Sequence, residues 1–225
     1  MSIPRLAVSL GLILAVGSCR EGVAPHPAAP QPLRFVRWAG GVYPRFIAVG
    51  ATSSATPAPG GSRTLRASRV LSLNRYTASF WAVRGQSRSV QINYLSATGD
   101  TSQPFLNLSA SDPDSAPGVG ALAVGDSVLL TVTVDTVQIG VSLQPTGLQF
   151  GTPAQFQMWY TGANGDFNGD GVVDSVDARI ESQLLGLSYR EWPTDPWTAI
   201  PASHDFTSQS FTALLPHFSE YAISW

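Results

Sequence analysis

Short apolar runs that alternate with polar residues, cut at close intervals by Gly and Pro, set the tightest limit on what this chain can become. In Ser127–Val134, Val128, Leu130, Val132 and Val134 share one face while Ser127, Thr131 and Thr133 share the other. Tyr76–Val83 alternates in the same way and Arg84-Gly85-Gln86 reads as a turn. A return strand then carries Val90, Ile92 and Tyr94 on one face. Val137, Ile139, Val141 and Leu143 repeat the pattern. Further short strands are expected at Phe105–Leu108, Gly147–Phe150, Gln155–Tyr160, Trp197–Ile200, Phe206–Leu215 and Phe218–Trp225. Leu33–Val49 is expected to add one or two edge strands, and Ala51–Gly61 a loop. A period of two over short segments predicts an all-β chain folded as an antiparallel β-sandwich. The 225 residues suit one domain, or one domain plus a small insertion; 21 Gly and 17 Pro supply the turns, and 10% aromatic residues exclude a disordered chain.

One stretch departs from the strand pattern. Asp166-Phe167-Asn168-Gly169-Asp170-Gly171-Val172-Val173-Asp174-Ser175-Val176-Asp177 places four carboxylates and one amide within twelve residues. Numbered from Asp166, oxygen-bearing side chains fall at positions 1, 3, 5, 9 and 12 (Asp166, Asn168, Asp170, Asp174 and Asp177). Val172 at position 7 can offer its main-chain carbonyl, Gly171 at position 6 permits a sharp turn, and apolar Val173 at position 8 is expected to pin the loop to a core. That is the ligand spacing of an EF-hand loop. Crowded carboxylates repel unless a cation sits among them. A hard ion with flexible oxygen coordination fits, so Ca2+ is the expected cofactor over Mg2+; no Cys or His lies close enough for zinc or copper.

Val176, Ile180 and Leu184 follow at helical spacing, with Leu185 and Leu187 on the flank. They predict an amphipathic helix over 175–187 that ends near Gly186. No helix is expected before the loop, where Gln155–Tyr160 alternates and Thr161-Gly162-Ala163-Asn164-Gly165 is a turn. A calcium loop with only an exiting helix, and Asp in place of Glu at position 12, resembles one half of a type I dockerin over Gly165–Leu187. The resemblance implies calcium binding at this loop. Dockerins carry two such halves and this sequence has one, so a role as an adaptor in a carbohydrate-processing assembly is the alternative reading.

The amino terminus carries Arg5 followed by an apolar stretch, Leu6–Val16, too short to span a bilayer. Val16-Gly17-Ser18-Cys19 resembles a bacterial lipobox. That implies a signal peptide over 1–18, lipidation of Cys19 and a lipid-anchored place in the cell envelope, at the outer membrane. An ordinary secretory signal with an incidental cysteine is the other reading. Cys19 is the single cysteine, so no disulfide is expected within the chain. Residues 19–66 then form an anchor and Pro/Ala/Gly-rich tether with possible edge strands. All 13 basic residues are Arg, and the charge is uneven, +10 over residues 1–90 and −12 beyond. The basic half suits either contact with anionic lipid or a row of solvated arginines.

A second resemblance covers residues 67–225, interrupted by the calcium segment at 162–192. Val141-x-Leu143-x-Pro145-x-Gly147-Leu148-x-Phe150-Gly151-x-Pro153-Ala154, with Leu215-Pro216-His217-Phe218-Ser219-Glu220-Tyr221-Ala222 near the end, resembles ZU5-like β-sandwich domains. The likeness implies a β-sandwich used as a binding or structural module. On this reading Val176, Ile180 and Leu184 pack against the sandwich beside Trp192 or Trp197. In some ZU5-related proteins the His-Phe-Ser site cleaves itself, which here implies scission at Phe218–Ser219 assisted by His217. Other signs of an enzyme are missing. Ser203-His204-Asp205 is contiguous, so alternate residues point apart and no triad is expected. No nucleophile elbow, phosphate loop or zincin motif occurs, and the eleven acids outside the loop form no evident pair. The expectation is a non-enzymatic calcium-binding surface lipoprotein with no catalytic residue. Its expected partners are the membrane and an unidentified protein or polysaccharide, not nucleic acid.

Overall fold

The computed structural model describes residues 32–41, 45–54, 70–71, 76–95 and 102–225, with 45–54 and 70–71 described as backbone. Apart from Pro32 these belong to one compact unit, Leu33–Trp225. The targeting segment, Cys19, the tether over 20–31 and the arginines at 63, 66, 69 and 75 lie outside the described residues.

Two antiparallel sheets account for the architecture. The strands in chain order are β1 (Arg45–Ser54), β2 (Val70–Leu71), β3 (Thr77–Val83), β4 (Ser87–Leu95), β5 (Ser102–Ser111), β6 (Pro113–Ala116), β7 (Gly120–Ala121) and β8 (Ser127–Val134). They continue with β9 (Gly140–Gln144), β10 (Gln149–Trp159), β11 (Gly186–Arg190), β12 (Thr198–Ala199), β13 (Ser203–Asp205), β14 (Ser210–His217) and β15 (Glu220–Ser224). The first sheet runs β13-β14-β10-β5-β4-β1-β2, with the β6–β7 hairpin hung on β10; the second runs β12-β11-β15-β9-β8-β3. Among the described residues one short α-helix, α1 (Ser175–Arg179), lies in the connection from β10 to β11.

The period of two becomes the core. Ala78, Phe80 and Ala82 of β3, Val90 and Ile92 of β4, and Leu130, Val132 and Val134 of β8 are buried, while their neighbours in the chain are not. Aromatic pairs tie one sheet to the other: Phe156 of β10 meets Tyr221 of β15 at 5.3 Å between ring centres, and Phe150 meets Phe218 at 4.9 Å. The fold is all-β and sandwich-like, and burial of these facing side chains is its main driving force.

Several local expectations change. The turn at Arg84-Gly85-Gln86 does not close a hairpin: β3 pairs with β8 and β4 with β5 and β1, so the turn carries the chain from one sheet to the other. Gly85 takes a left-handed conformation there (φ 81°), and Arg84 is held by ion pairs to Asp112 and Asp114. The runs expected at Gly147–Phe150 and Gln155–Tyr160 form one strand, β10, whose pairing with β14 is irregular between Gln149 and Ala154. β5 extends well beyond Phe105–Leu108. β1 is flanked by β4 and β2 and is no edge strand; it also continues through Ala51–Ser54, expected to be loop. Phe206 is exposed in the turn between β13 and β14.

Trp38 locks the segment before β1 onto the start of the β10–β11 connection. Its ring meets Phe105 (5.0 Å) and Tyr94 (5.9 Å), and its Nε1–H donates to the Asp135 carbonyl at 2.9 Å. The ring also lies so close over Gly162 that a Cβ there would overlap Cε3 and Cζ3. Gly162→Ala is therefore expected to destabilise the fold by about 1–3 kcal/mol, since ring or turn must shift. Urea denaturation of wild type and variant measures it.

Candidate metal centre

The acidic loop occupies the connection between β10 and the helix α1. After Trp159 the chain passes through a 3-10 turn, Thr161–Ala163, then Asn164 (φ 53°) and Gly165 (φ 82°), which reverse its direction. The loop proper is a succession of side-chain-to-backbone turns. Asp166 Oδ1 accepts from Gly169 N–H (2.7 Å) and Oδ2 from Gly171 N–H (2.9 Å), curling the first six positions into a ring. Asn168 Oδ1 accepts from Asp170 N–H (2.8 Å), Asp170 Oδ1 accepts from Val172 N–H (2.8 Å), and Asn168 Nδ2 donates to Asp170 Oδ2 (2.9 Å). Gly171 has φ 88°, the left-handed backbone that position 6 calls for.

The far end of the loop is closed by Asp177. This carboxylate is buried, and Oδ1 accepts from Phe167 N–H (2.8 Å) and Asn168 N–H (3.2 Å) while Oδ2 accepts from Asp174 N–H (3.0 Å). Asp174 returns the favour as N-cap of α1, its Oδ1 accepting from Val176 N–H at 2.7 Å in a capping box. Burial pushes the Asp177 carboxyl up, but the main-chain N–H groups of Asp174, Asn168 and Phe167 together outweigh it and the net shift is downward.

The structure thus brings Asp166, Asn168 and Asp170 into one turn of chain, holds Asp174 at the helix start, and turns Asp177 inward. Among the described residues no three His, Cys, Asp or Glu side chains gather closely enough to hold a metal ion as they stand. The donor set nonetheless suits a hard cation. An ionised carboxylate has about four lone-pair sites, and Asp166 engages one per oxygen, so acceptor capacity remains. Asp170 and Asp174 are exposed, Asp166 and Asn168 half-exposed, and Val172 lies on the open side. Asp177, with three N–H partners, has the least to spare.

The loop is pinned differently from the expectation. Val173 is 62% exposed and lies against Gly165, so position 8 does not enter the core. Phe167 at position 2 is the anchor: it is buried edge-to-face against Tyr160 (5.6 Å), and its carbonyl accepts from Trp225 Nε1–H (3.1 Å). An aromatic ring placed between two ligand positions was the legible sign. The predicted helix over 175–187 is shorter. α1 ends at Arg179, a π turn follows over Ile180–Leu184 with Leu185 N–H donating to the Ile180 carbonyl (2.9 Å), and Gly186 opens β11 instead of ending a helix. Of the expected stripe only Ile180 is buried. Val176 and Leu184 stay 51% and 49% exposed, because the chain leaves the helix to pair Leu187 and its neighbours with β15. Neither tryptophan is found where it was expected beside that helix: Trp192 is exposed, and Trp197 meets Phe35 at a tilt (5.0 Å, 56°) beneath Arg190.

A polar cluster with no local signature in the sequence fastens the π turn to the first sheet. The buried Tyr160 hydroxyl donates to Glu181 Oε1 (3.0 Å) and lies 2.7 Å from His204 Nε2, while Gln209 Nε2 donates to the same Glu181 oxygen (3.1 Å). Burial, reinforced by Glu181, pushes the Tyr160 hydroxyl far up, and burial holds the His204 imidazole down. The His204 ring is clamped between Phe206 (4.0 Å) and Phe211 (4.1 Å), and Asp205 turns to Thr207 and Ser208; Ser203-His204-Asp205 is no triad. At the other end of β14, His217 Nδ1 lies 3.0 Å from the buried Ser219 hydroxyl.

The chain matches no family model, no curated protein and no solved structure.

Asp177 has a folded pKa below its unfolded value, so its stabilisation is present above about pH 4 and is lost as pH falls through the folded value. Asp177→Asn places an amide N–H among main-chain N–H donors and is expected to cost about 1–3 kcal/mol at neutral pH. It should also flatten the acid limb of the stability curve, read from melting temperatures between neutral pH and strong acid.

Proposed function

We propose that this chain is a non-enzymatic, calcium-binding surface lipoprotein, anchored through Cys19 and holding one Ca2+ in the loop Asp166–Asp177. On this reading the two sheets form a ZU5-like sandwich that serves as a binding or structural module, and the loop with α1 is a dockerin-like half-hand set into it. The observation that carries the reading is the curl of the loop. Asp166 gathers the amides of Gly169 and Gly171, which brings positions 1, 3 and 5 onto successive turns with oxygen lone pairs left over. Asp166, Asn168, Asp170, Asp174, Asp177 and the Val172 carbonyl would hold the ion. Bound Ca2+ supplies the positive charge that offsets the mutual repulsion of four carboxylates.

Calorimetric titration of the mature domain tests this. Ca2+ is expected to bind with one-site stoichiometry and to raise the melting temperature, with Mg2+ much weaker because it resists dehydration and demands a tighter octahedron. Asp170→Ala should abolish the calcium-dependent rise while leaving the sheet signal in circular dichroism intact. Absence of both heat and stabilisation in the wild type would sink the reading.

A second reading rests on the contact between His217 and Ser219. Ser219 Oγ can give its proton to His217 Nδ1, 3.0 Å away, and attack the Phe218 carbonyl carbon; the Phe218 oxygen already accepts from Gly147 N–H at 2.9 Å. An ester then forms as the Phe218–Ser219 amide breaks, the amine takes the proton, and water hydrolyses the ester to a Phe218 carboxylate and a free Ser219. Mass spectrometry of the denatured protein should then find a chain ending at Phe218 together with the peptide Ser219–Trp225; a single intact mass refutes it.

A further inference from the structure

We propose a second binding site, unrelated to the acidic loop, in the crevice where the two sheets part beside β14. The chain crosses from β12 in one sheet to β13 in the other through Ile200-Pro201-Ala202, with Ile200 N–H donating to the Leu187 carbonyl at 3.0 Å. β13 is short and pairs only with Ser210–Thr212 of β14, so among the described residues no strand covers the β14 edge beyond Thr212. Beneath it lies a cavity of about 710 Å³. That volume falls within the range of about 300–1,000 Å³ typical of small-molecule sites.

The lining defines the chemistry of the occupant. Tyr189 and Tyr221 stand nearly parallel (6.3 Å, 27°), and His217 meets Tyr189 edge-on (5.8 Å). Leu215, Ala213 and Ile200 supply apolar surface, and Pro201 and Pro216 contribute walls that carry no N–H. Among the described residues no Arg, Asp or Glu side chain lines the cavity, so a charged ligand would have to desolvate without a counter-charge from them. Several polar side chains there are uncommitted among the described residues, the Ser203 and Thr212 hydroxyls included. Among the described residues the Tyr189 hydroxyl also has no hydrogen-bond partner, and His217 uses Nδ1 on Ser219, leaving Nε2. The Tyr221 hydroxyl is spent on the His217 carbonyl at 2.8 Å. Flat aromatic walls, an apolar floor and a few neutral hydrogen-bonding groups at the rim fit an uncharged, ring-containing small molecule with polar substituents. Pro216 removes a donor from the open β14 edge, which disfavours an added peptide strand.

N-phenylnaphthylamine, an uncharged two-ring amine whose fluorescence rises in apolar sites, is the probe; anilinonaphthalene sulfonate is nearly the same skeleton with a fixed negative charge. The full chain should bind the amine saturably and the sulfonate at least about tenfold more weakly. Ala202→Phe, which fills the crevice from the crossover, should abolish binding of the amine. Tyr189→Phe, which removes one hydroxyl and keeps the ring, should weaken it several-fold, and it decides the matter if the larger substitution lowers the melting temperature. Equal affinity for both probes, or an amine affinity unchanged in both variants, overturns the proposal. So does a dimer seen in sedimentation whose formation expels the probe, since the crevice would then belong to a second copy.

Discussion

The carboxylate of Asp177 is the clasp on which the acidic loop depends. It reaches back across the loop to the amides of Phe167 and Asn168 and sideways to that of Asp174, so one buried side chain fixes the entry, the exit and the first turn of α1 together. Buried main-chain N–H groups need acceptors, and a loop of this shape has no ladder to supply them. The remaining acids are thereby released from structural duty to differing degrees. Asp174 is committed to the helix start, whereas Asp166 and Asp170 hold the ring in shape with acceptor capacity to spare. Division of labour among four like charges is the physical basis for reading the loop as a cation site.

A loop this polar stays attached because its edges are not polar. Phe167 plunges against Tyr160, Trp225 bonds the Phe167 carbonyl, and Trp38 closes over Gly162 at the entry. On the exit side Ile180 is buried and Glu181 ties to Tyr160 and Gln209. The loop is therefore fastened at both ends to the ends of strands, with Asp177 turned inward and Asp170, Val172 and Asp174 exposed.

The sequence was most legible where one rule dominates. Period two in Ser127–Val134 foretold that Leu130, Val132 and Val134 are buried, with Val128 on the same face only half-buried, because a strand offers only two faces. The positive φ of Gly171 was legible for a similar reason: position 6 of such a loop admits little else. Pairing was not legible. Arg84-Gly85-Gln86 looks like a hairpin turn, but partner choice for β3 and β4 depends on distant strands, and each went to a different sheet. The helix was misread in length because β11 competes for the same residues. Val176, Ile180 and Leu184 have helical spacing, yet pairing of Leu187 with Ile223 draws the chain out of the helix before the stripe can be buried. The cluster of Tyr160, Glu181, His204 and Gln209 could not have been read at all, since its members meet only through the fold.

A crystal structure grown with ample Ca2+, with anomalous scattering recorded, bears most directly on the central claim. The account predicts a single anomalous peak inside the loop, ringed by oxygens of Asp166, Asn168, Asp170, Asp174, Asp177 and the Val172 carbonyl at about 2.3–2.6 Å. The same loop resolved in that crystal with its carboxylates turned to water and no peak among them would contradict it.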